Sequence, residues 1–311
     1  MAVLRSVLDA IGNTPVVELR AISPPDAARV LVKLEYFSPT GSYKDRMARA
    51  MIEGAERRGD LRPGQPVVEY TGGSTGSSLA LVCALKGYPL KIVSSDAFAQ
   101  EKLKTMTALG AEVFLEPSVD GRITPDLIPR MQARAAAIAE REGAYQTDQF
   151  HNEDALNGYR AIAAEAIRAV DGPIDAFCGG VGTGGMLAGV SRGFREAGVT
   201  TRVVALQPAS SPVLTEGARG PHHIEGVAVL FEPPLLVPAD YDEVRSIEEE
   251  DARAMARRLA REEGIFAGTS TGMNVAGAIA VARELGPGRT VLTVAVDSGL
   301  KYLAGDLFTA G

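Results

Sequence analysis

The sequence predicts an α/β protein built on parallel sheets. Short β-branched runs alternate with helical patterns along almost the whole chain. Glycine-rich turns at 71–76, 180–185 and 268–272 each stand just before a helix. No internal repeat, low-complexity tract or long linker breaks the alternation. Strands joined through helices pair in parallel, with helices covering the sheet faces.

In chain order, the predicted strands cover 30–35, 66–70, 90–95, 111–116, 174–178, 202–207 and 290–296. Helical patterns fill 44–58, 75–87, 98–109, 126–142, 153–170, 185–197, 249–263 and 272–285 between them. Ser246 and Glu249 have the spacing of a capping box that would open the helix at 249–263. The one loop-rich stretch, 208–242, carries six prolines; a connection that long is expected to be functional and could cover a cleft.

Bulk properties remove several function classes. At 311 residues the chain has room for one large domain or two medium ones sharing a cleft. It is 46% hydrophobic and 23% charged, too apolar for a disordered protein. A formal charge of −7 without any dense Lys/Arg run argues against nucleic acid and anionic membranes as partners. No apolar stretch reaches the roughly 18 residues of a membrane span, and the first residues lack a signal-peptide core, so a cytoplasmic location is expected. Cys83 and Cys178 sit in apolar runs and are read as small buried hydrophobes. His151, His222 and His223 have no partner ligands at metal-binding spacing, so no metal is expected.

Four segments carry chemistry, each where a strand or loop meets a helix start, the place ligands occupy in open α/β sheets. In SPTGSYKDR (38–46), Lys44 is either an imine-forming lysine or a surface lysine balanced by Asp45 and Arg46. In YTGGSTGSS (70–78), free helix-start amides with the hydroxyls of Thr71, Ser74 and Thr75 suit a carboxylate or phosphate; a plain helix cap is the alternative. In CGGVGTGGMLAGV (178–190), Gly180, Gly182 and Gly185 satisfy GxGxxG. The next strand ends in Leu206-Gln207-Pro208, without the acid a dinucleotide ribose needs. A monophosphate held by the amides of Gly182–Gly185 and the hydroxyl of Thr183 fits better. In FAGTSTGMN (266–274), Ser270 is either a hydrogen-bond donor to a heterocyclic nitrogen or a simple cap.

In order and spacing these segments resemble the cysteine synthase/cystathionine β-synthase group of pyridoxal-phosphate (PLP) enzymes, the β-family of fold type II. The resemblance runs through IGNTPVVEL (11–19), KLEYFSPTGSYKDR (33–46), TGGSTG (71–76), DQFHNEDALNGY (148–159), GVGTGG (180–185), GPHHIEG (220–226), GTSTG (268–272) and DSGLKYL (297–303). It implies a tryptophan synthase β-like fold of two domains, each a mainly parallel twisted sheet flanked by helices, with PLP in the cleft between them. The smaller domain would span 36–148, and the larger, phosphate-binding one 1–35 with 149–311. Residue by residue, Lys44 would be the Schiff-base lysine and the base for the substrate Cα proton. Gly182, Thr183, Gly184 and Gly185 would hold the phosphate, and Ser270 would face the pyridine nitrogen. Thr71, Gly72, Ser74, Thr75 and Gln149 would line the substrate carboxylate site, with Ser74 also touching the cofactor.

The activity this implies is β-replacement on an O-activated L-serine, through an aminoacrylate, with sulfide or another small nucleophile. Two alternatives stand beside it: a β-eliminating lyase of the serine/threonine dehydratase or cysteine desulfhydrase type, and a PLP-binding protein with little catalysis. A homodimer is expected from the resemblance alone. The chain also departs from the family pattern. TGGSTG replaces TSGNTG: Gly72 removes one hydroxyl, and Ser74 is either a degenerate remnant of an asparagine or makes room for a bulkier or differently charged amino acid, the second being favoured because Gly72 beside it has also lost its side chain. Met186 replaces a threonine, and Ala228 and Leu230 replace glycines in a segment expected to re-shape the leaving-group side of the pocket.

Overall fold

The computed structural model describes residues 3–121, 124, 126–227 and 232–309. The departures at Ala228 and Leu230 lie outside the described residues. The first strands are β1 (Val16–Glu18), β2 (Arg29–Leu34), β3 (Val67–Tyr70), β4 (Leu90–Ser95) and β5 (Glu112–Glu116). They are followed by β6 (Tyr145–Gln146), β7 (Ala176–Gly180), β8 (Arg202–Pro208), β9 (Glu243–Ile247) and β10 (Thr290–Ala295). The first helices are α1 (Lys44–Arg58), α2 (Ser74–Lys86), α3 (Gln100–Ala108), α4 (Leu127–Glu142) and α5 (Asp154–Ala169). Then come α6 (Gly185–Glu196), the one-turn α7 (Val213–Glu216), α8 (Glu249–Arg258) and α9 (Thr269–Leu285). No helix among the described residues is long and apolar enough to cross a membrane.

The chain divides into two compact units, residues 1–11 with 44–158, and residues 12–43 with 159–311. In the first, four parallel strands run in the order β5-β4-β3-β6. Every residue of β3 is buried, including the acid Glu69. α4 packs on β3 and β4, while α2 packs between α1 and α3. The aliphatic residues needed to cover a sheet on both sides explain why β3 and β4 read as continuous runs and not as alternation.

In the second unit six strands run in the order β1-β2-β10-β7-β8-β9. All neighbours are parallel except β1, which pairs antiparallel with β2 through Val16–Lys33 and Glu18–Leu31. α9 lies against β7 and β10, burying Met273, Val275, Ala278, Ile279 and Ala282. Inside this unit Lys33 is fully buried. Its Nζ stands 2.6 Å from Glu165 Oε2 and donates to Thr14 O and Oγ1 at 2.9 and 2.7 Å, while Thr14 Oγ1 donates to Glu35 at 2.7 Å. A buried ammonium persists only with such saturation of its donors.

Two predicted features need correction. Ser246 is not a helix cap: it lies inside β9, paired opposite Gln207, and accepts from Gln207 Nε2 at 3.1 Å. Glu248 stands at the start of α8 instead, and the Glu249 carboxylate accepts from the His223 amide at 2.9 Å. The strand β9 itself, like the short β1 and β6, was not among the predicted elements. The 249–263 helix stays α-helical only to Arg258 and closes in a π turn over Leu259–Glu263. Past the end of β8, the loop-rich 208–242 stretch has, among its described residues, only the one-turn α7 and a 3₁₀ turn at Pro238–Asp240. It is anchored by the buried Asp240, which accepts from Arg192 Nη2 and Arg195 Nη2 at 2.7 Å each.

Candidate active site

In the second unit, β7 ends at Gly180, whose amide donates to Asn274 Oδ1 at 2.8 Å. Asn274 Nδ2 donates onward to Val294 O at 3.0 Å, so one fully buried side chain on α9 ties the ends of β7 and β10. The chain then turns through 181–184 into α6. Gly184 has φ +80°, a left-handed conformation that glycine adopts without strain. A side chain on Gly182 would collide with the Gly226 carbonyl, and one on Gly184 would meet Pro233 and Leu236 at 2.9 and 2.8 Å. Gly226, Pro233 and Leu236 are thus packed directly on this turn. The first internal bond of α6 runs from Ala188 N to Gly184 O, which leaves the amides of Gly185, Met186 and Leu187 without partners inside the helix. Such a turn at a helix start suits an anion. Thr183 is buried beside it, and the Met186 thioether packs over Gly179.

Ser270 lies in the first turn of α9, one turn before Asn274. Its Oγ is buried and meets no hydrogen-bond partner among the described residues. A buried hydroxyl left unpaired costs on the order of 1–3 kcal/mol, so an acceptor supplied by a ligand would satisfy it. This hydroxyl is no helix cap, because Gly268 occupies the cap position. Together the turn and the serine fit PLP: an anion cradle for the phosphate, and a neutral donor for the ring nitrogen.

The 38–43 segment is stitched to 296–298 in the same unit. Tyr43 N donates to Val296 O at 3.1 Å, Ser298 N donates to Gly41 O at 3.0 Å, and Ser42 bridges Asp297. Burial, with Asp297 and Glu35 nearby, holds the Tyr43 phenol well above its ordinary pKa. The next residue, Lys44, is buried and opens α1 in the first unit, so it is no surface lysine.

The first unit gathers the remaining predicted residues around the β3–α2 turn. Thr71 N donates to Val93 O at 3.0 Å, and Thr71 Oγ1 accepts from Gly73 N at 3.2 Å. Gly73 caps α2 without a side chain, and Ser74 is its first residue. Thr75 Oγ1 donates to Gln149 Oε1 at 2.8 Å, while Gln149 Nε2 donates to Tyr70 O at 3.3 Å. Beneath them Glu69 accepts from the amides of Tyr70 and Gln149 at 2.9 and 3.0 Å and from Thr147 Oγ1 at 2.6 Å. Burial pushes the Glu69 carboxyl up to about 7 against the pull of these three donors. Gly72 does not open space: a side chain there would run into the Phe98 ring, which already fills it. The expectation of extra room at Gly72 is therefore wrong.

Sequence reasoning brought Thr71, Gly72, Ser74, Thr75 and Gln149 into one constellation in the first unit, and Gly182, Thr183, Gly184, Gly185 and Ser270 into one unit in the second. It missed Glu69, Phe98 and Asn274. An acid inside the otherwise apolar PVVEY run was the available signal for Glu69, since acids are rarely buried without a partner. Cys83 and Cys178 are buried, and burial raises both thiols to about 12, so neither is a nucleophile at neutral pH.

Residues 7–297 match the family model described as pyridoxal-phosphate dependent enzyme. A cysteine synthase of Staphylococcus aureus is 40% identical over 306 residues, 98% of this chain and 97% of the relative. A crystal structure of cysteine synthase from Entamoeba histolytica superposes with a TM-score of 0.93 at 32% identity, covering 100% of this chain and 92% of that one. A crystal structure of O-ureido-L-serine synthase gives 0.92 at 37% identity, over 99% and 96%. With a matching family model and a relative 40% identical over nearly the whole chain, this chain belongs to the pyridoxal-phosphate-dependent enzymes, in the fold type II cysteine synthase group.

Proposed function

We propose that the protein carries out PLP-dependent β-replacement on an O-activated L-serine, O-acetylserine or O-phosphoserine, with sulfide or another small nucleophile. The observation that carries this reading is the unpartnered hydroxyl of Ser270. Bound PLP supplies an electron sink for the bond broken at the substrate Cα. A serine hydroxyl at the ring nitrogen leaves that sink weaker than a carboxylate would, which favours loss of a β-leaving group over transamination.

In this reading Lys44 holds the cofactor covalently and takes the Cα proton, a double task that suits a buried amine. Gly182, Thr183, Gly184 and Gly185 hold the phosphate. Thr71, Gly72, Ser74, Thr75 and Gln149 receive the substrate carboxylate, with the Thr75–Gln149 hydrogen bond fixing two of these side chains against each other. The likeness to an O-ureido-L-serine synthase supports testing acceptors beyond sulfide. A small amino-acid substrate, a homodimeric assembly and a cytoplasmic setting complete the reading.

Product analysis with O-acetylserine, with and without sulfide, tests it. Cysteine formed only with sulfide is expected. Pyruvate released at the same rate with or without sulfide would make the protein a lyase, and no turnover of any O-activated serine would refute catalysis. Lys44→Ala is expected to lose both the visible absorbance of the bound cofactor and turnover.

A further inference from the structure

Gly72 in the β3–α2 turn and Gly76 in the first turn of α2 are bare because side chains from one neighbouring segment press on them. A Cβ on Gly72 would fall on Cδ1, Cε1 and Cγ of Phe98, and a Cβ on Gly76 would stand 2.7 Å from the Met106 thioether. By contrast, a Cβ on Gly73, between them, would meet nothing within 4 Å. Gly72 is not among the glycines with positive φ, so space and not backbone conformation demands a glycine there. Phe98 and Met106 flank and occupy α3, which therefore clamps the turn at two points, one on each side of the α2 start.

The Phe98 end of that clamp is itself held. Phe98 N donates to Ser95 O at 3.2 Å, closing a turn after β4, and Ala97 N donates to Ser95 Oγ at 3.2 Å. Asp96 Oδ1 accepts from Ser118 N at 2.8 Å, which pins this turn to the chain leaving β5. The ring is partly exposed, whereas Met106 is fully buried. Phe98 is thus the accessible jaw, resting on the Cα of a residue two positions before Ser74.

We infer that Phe98 is a positioning residue for amino-acid binding, acting through the bare Cα of Gly72 to hold the hydroxyls of Thr71, Ser74 and Thr75 where a substrate carboxylate is received. This rests on the reading of the 71–75 turn as the carboxylate site. Gly72 and Phe98 form one unit: the volume a side chain at 72 would take is supplied from 98 as a ring, so the site gains an apolar brace and no additional space. Changing one without the other either forces the ring and turn apart or leaves the turn unsupported.

The test is a double-mutant cycle on the holoenzyme with Gly72→Ala, Phe98→Ala and both together, plus Phe98→Leu. Affinity for L-alanine, which has no leaving group, is read from the absorbance of the bound cofactor. KM and kcat are measured with O-acetylserine and sulfide, and hydrogen exchange is followed at amides 73–77. Gly72→Ala should weaken L-alanine binding and raise KM by about tenfold, a size within the range of coupled neighbours, with kcat changed much less. Adding Phe98→Ala to Gly72→Ala should restore most of that loss, because the methyl then has room. Phe98→Ala alone should raise KM and speed exchange at 73–77, and Phe98→Leu should recover both.

The inference is overturned if Gly72→Ala binds L-alanine as wild type does, or if the double variant is no better than Gly72→Ala. Should Gly72→Ala fail to fold, Phe98→Ala and Phe98→Leu decide: equal exchange at 73–77 and equal KM in both overturn it. Absence of β-replacement by the wild-type protein would instead refute the function reading, with the L-alanine and exchange measurements still judging Phe98.

Discussion

Thr75 Oγ1 donates to Gln149 Oε1 across 2.8 Å, joining the first turn of α2 to the segment that follows β6. Both groups are buried, and the Gln149 amide nitrogen is already committed to Tyr70 O. The pair therefore fixes the distance between the two sides of the site proposed to receive the substrate carboxylate, with no mobile water needed between them.

Thr75→Val keeps the shape and removes the donor, leaving the Gln149 carbonyl oxygen without its partner. An unpaired buried acceptor costs about 1–3 kcal/mol. We expect a KM for O-acetylserine raised about tenfold, with cofactor binding unchanged because the 182–185 turn, proposed to hold the phosphate, lies in the other unit. Steady-state kinetics beside a cofactor titration check this; an equal loss of cofactor affinity would contradict it.

The strands and helices that position these groups were legible where apolar runs were long. β4 was read with its observed limits and α1 likewise. The glycine turns were legible because each follows a buried run and precedes a helical pattern. What escaped was set by tertiary contact. β9 is a short strand with charged residues, EVRSI, paired only with β8 among the described residues, and its sequence carries no apolar run to announce it. Asn274 reads as a polar residue in a helix until Gly180 N and Val294 O are brought against it. Gly72 was legible as unusual, but its cause, the ring of Phe98, lies 26 residues on in the chain and follows a separate strand.

Ser270 Oγ has no hydrogen-bond partner among the described residues, so removing it should cost the cofactor-free protein nothing. Ser270→Ala is expected to melt, as apoprotein, at or slightly above the wild-type temperature. The stabilisation gained on adding PLP should shrink by roughly 1 kcal/mol, the worth of one hydrogen bond. Thermal melts of both proteins with and without PLP measure this. A Ser270→Ala apoprotein clearly less stable than wild type would mean the hydroxyl serves the fold and not the cofactor.

Glu69 gives a pH dependence of stability with a definite sign. Its folded pKa, about 7, lies above the ordinary carboxyl value because burial disfavours the charge. Between roughly pH 4.5 and 7 the folded protein binds more protons than the unfolded chain at this group, so stability falls as pH rises. The contribution is fully present below that window and lost above it. Denaturation curves from pH 4 to 8 should show this fall in wild type relative to Glu69→Gln, in which residue 69 does not titrate. Parallel stability profiles for the two proteins would remove Glu69 as the cause.

Asn274 offers the sharpest separation of fold from site. Its side chain accepts from Gly180 N at 2.8 Å and donates to Val294 O at 3.0 Å, in a place with no access to water. Asn274→Asp keeps the acceptor for Gly180 but sets a carboxylate oxygen against the Val294 carbonyl. Asn274→Ala leaves both backbone groups unpaired, at about 1–3 kcal/mol each. Gly180 directly precedes the 181–185 turn, so its amide fixes where that turn begins. Asn274→Ala should therefore lower stability by several kcal/mol and weaken PLP binding beyond what the lost stability explains. Binding measured well below the melting temperature, where both proteins are folded, separates the two effects. If Asn274→Ala binds PLP as tightly as wild type there, the turn is held by its own packing against Gly226, Pro233 and Leu236, and Asn274 serves the core alone.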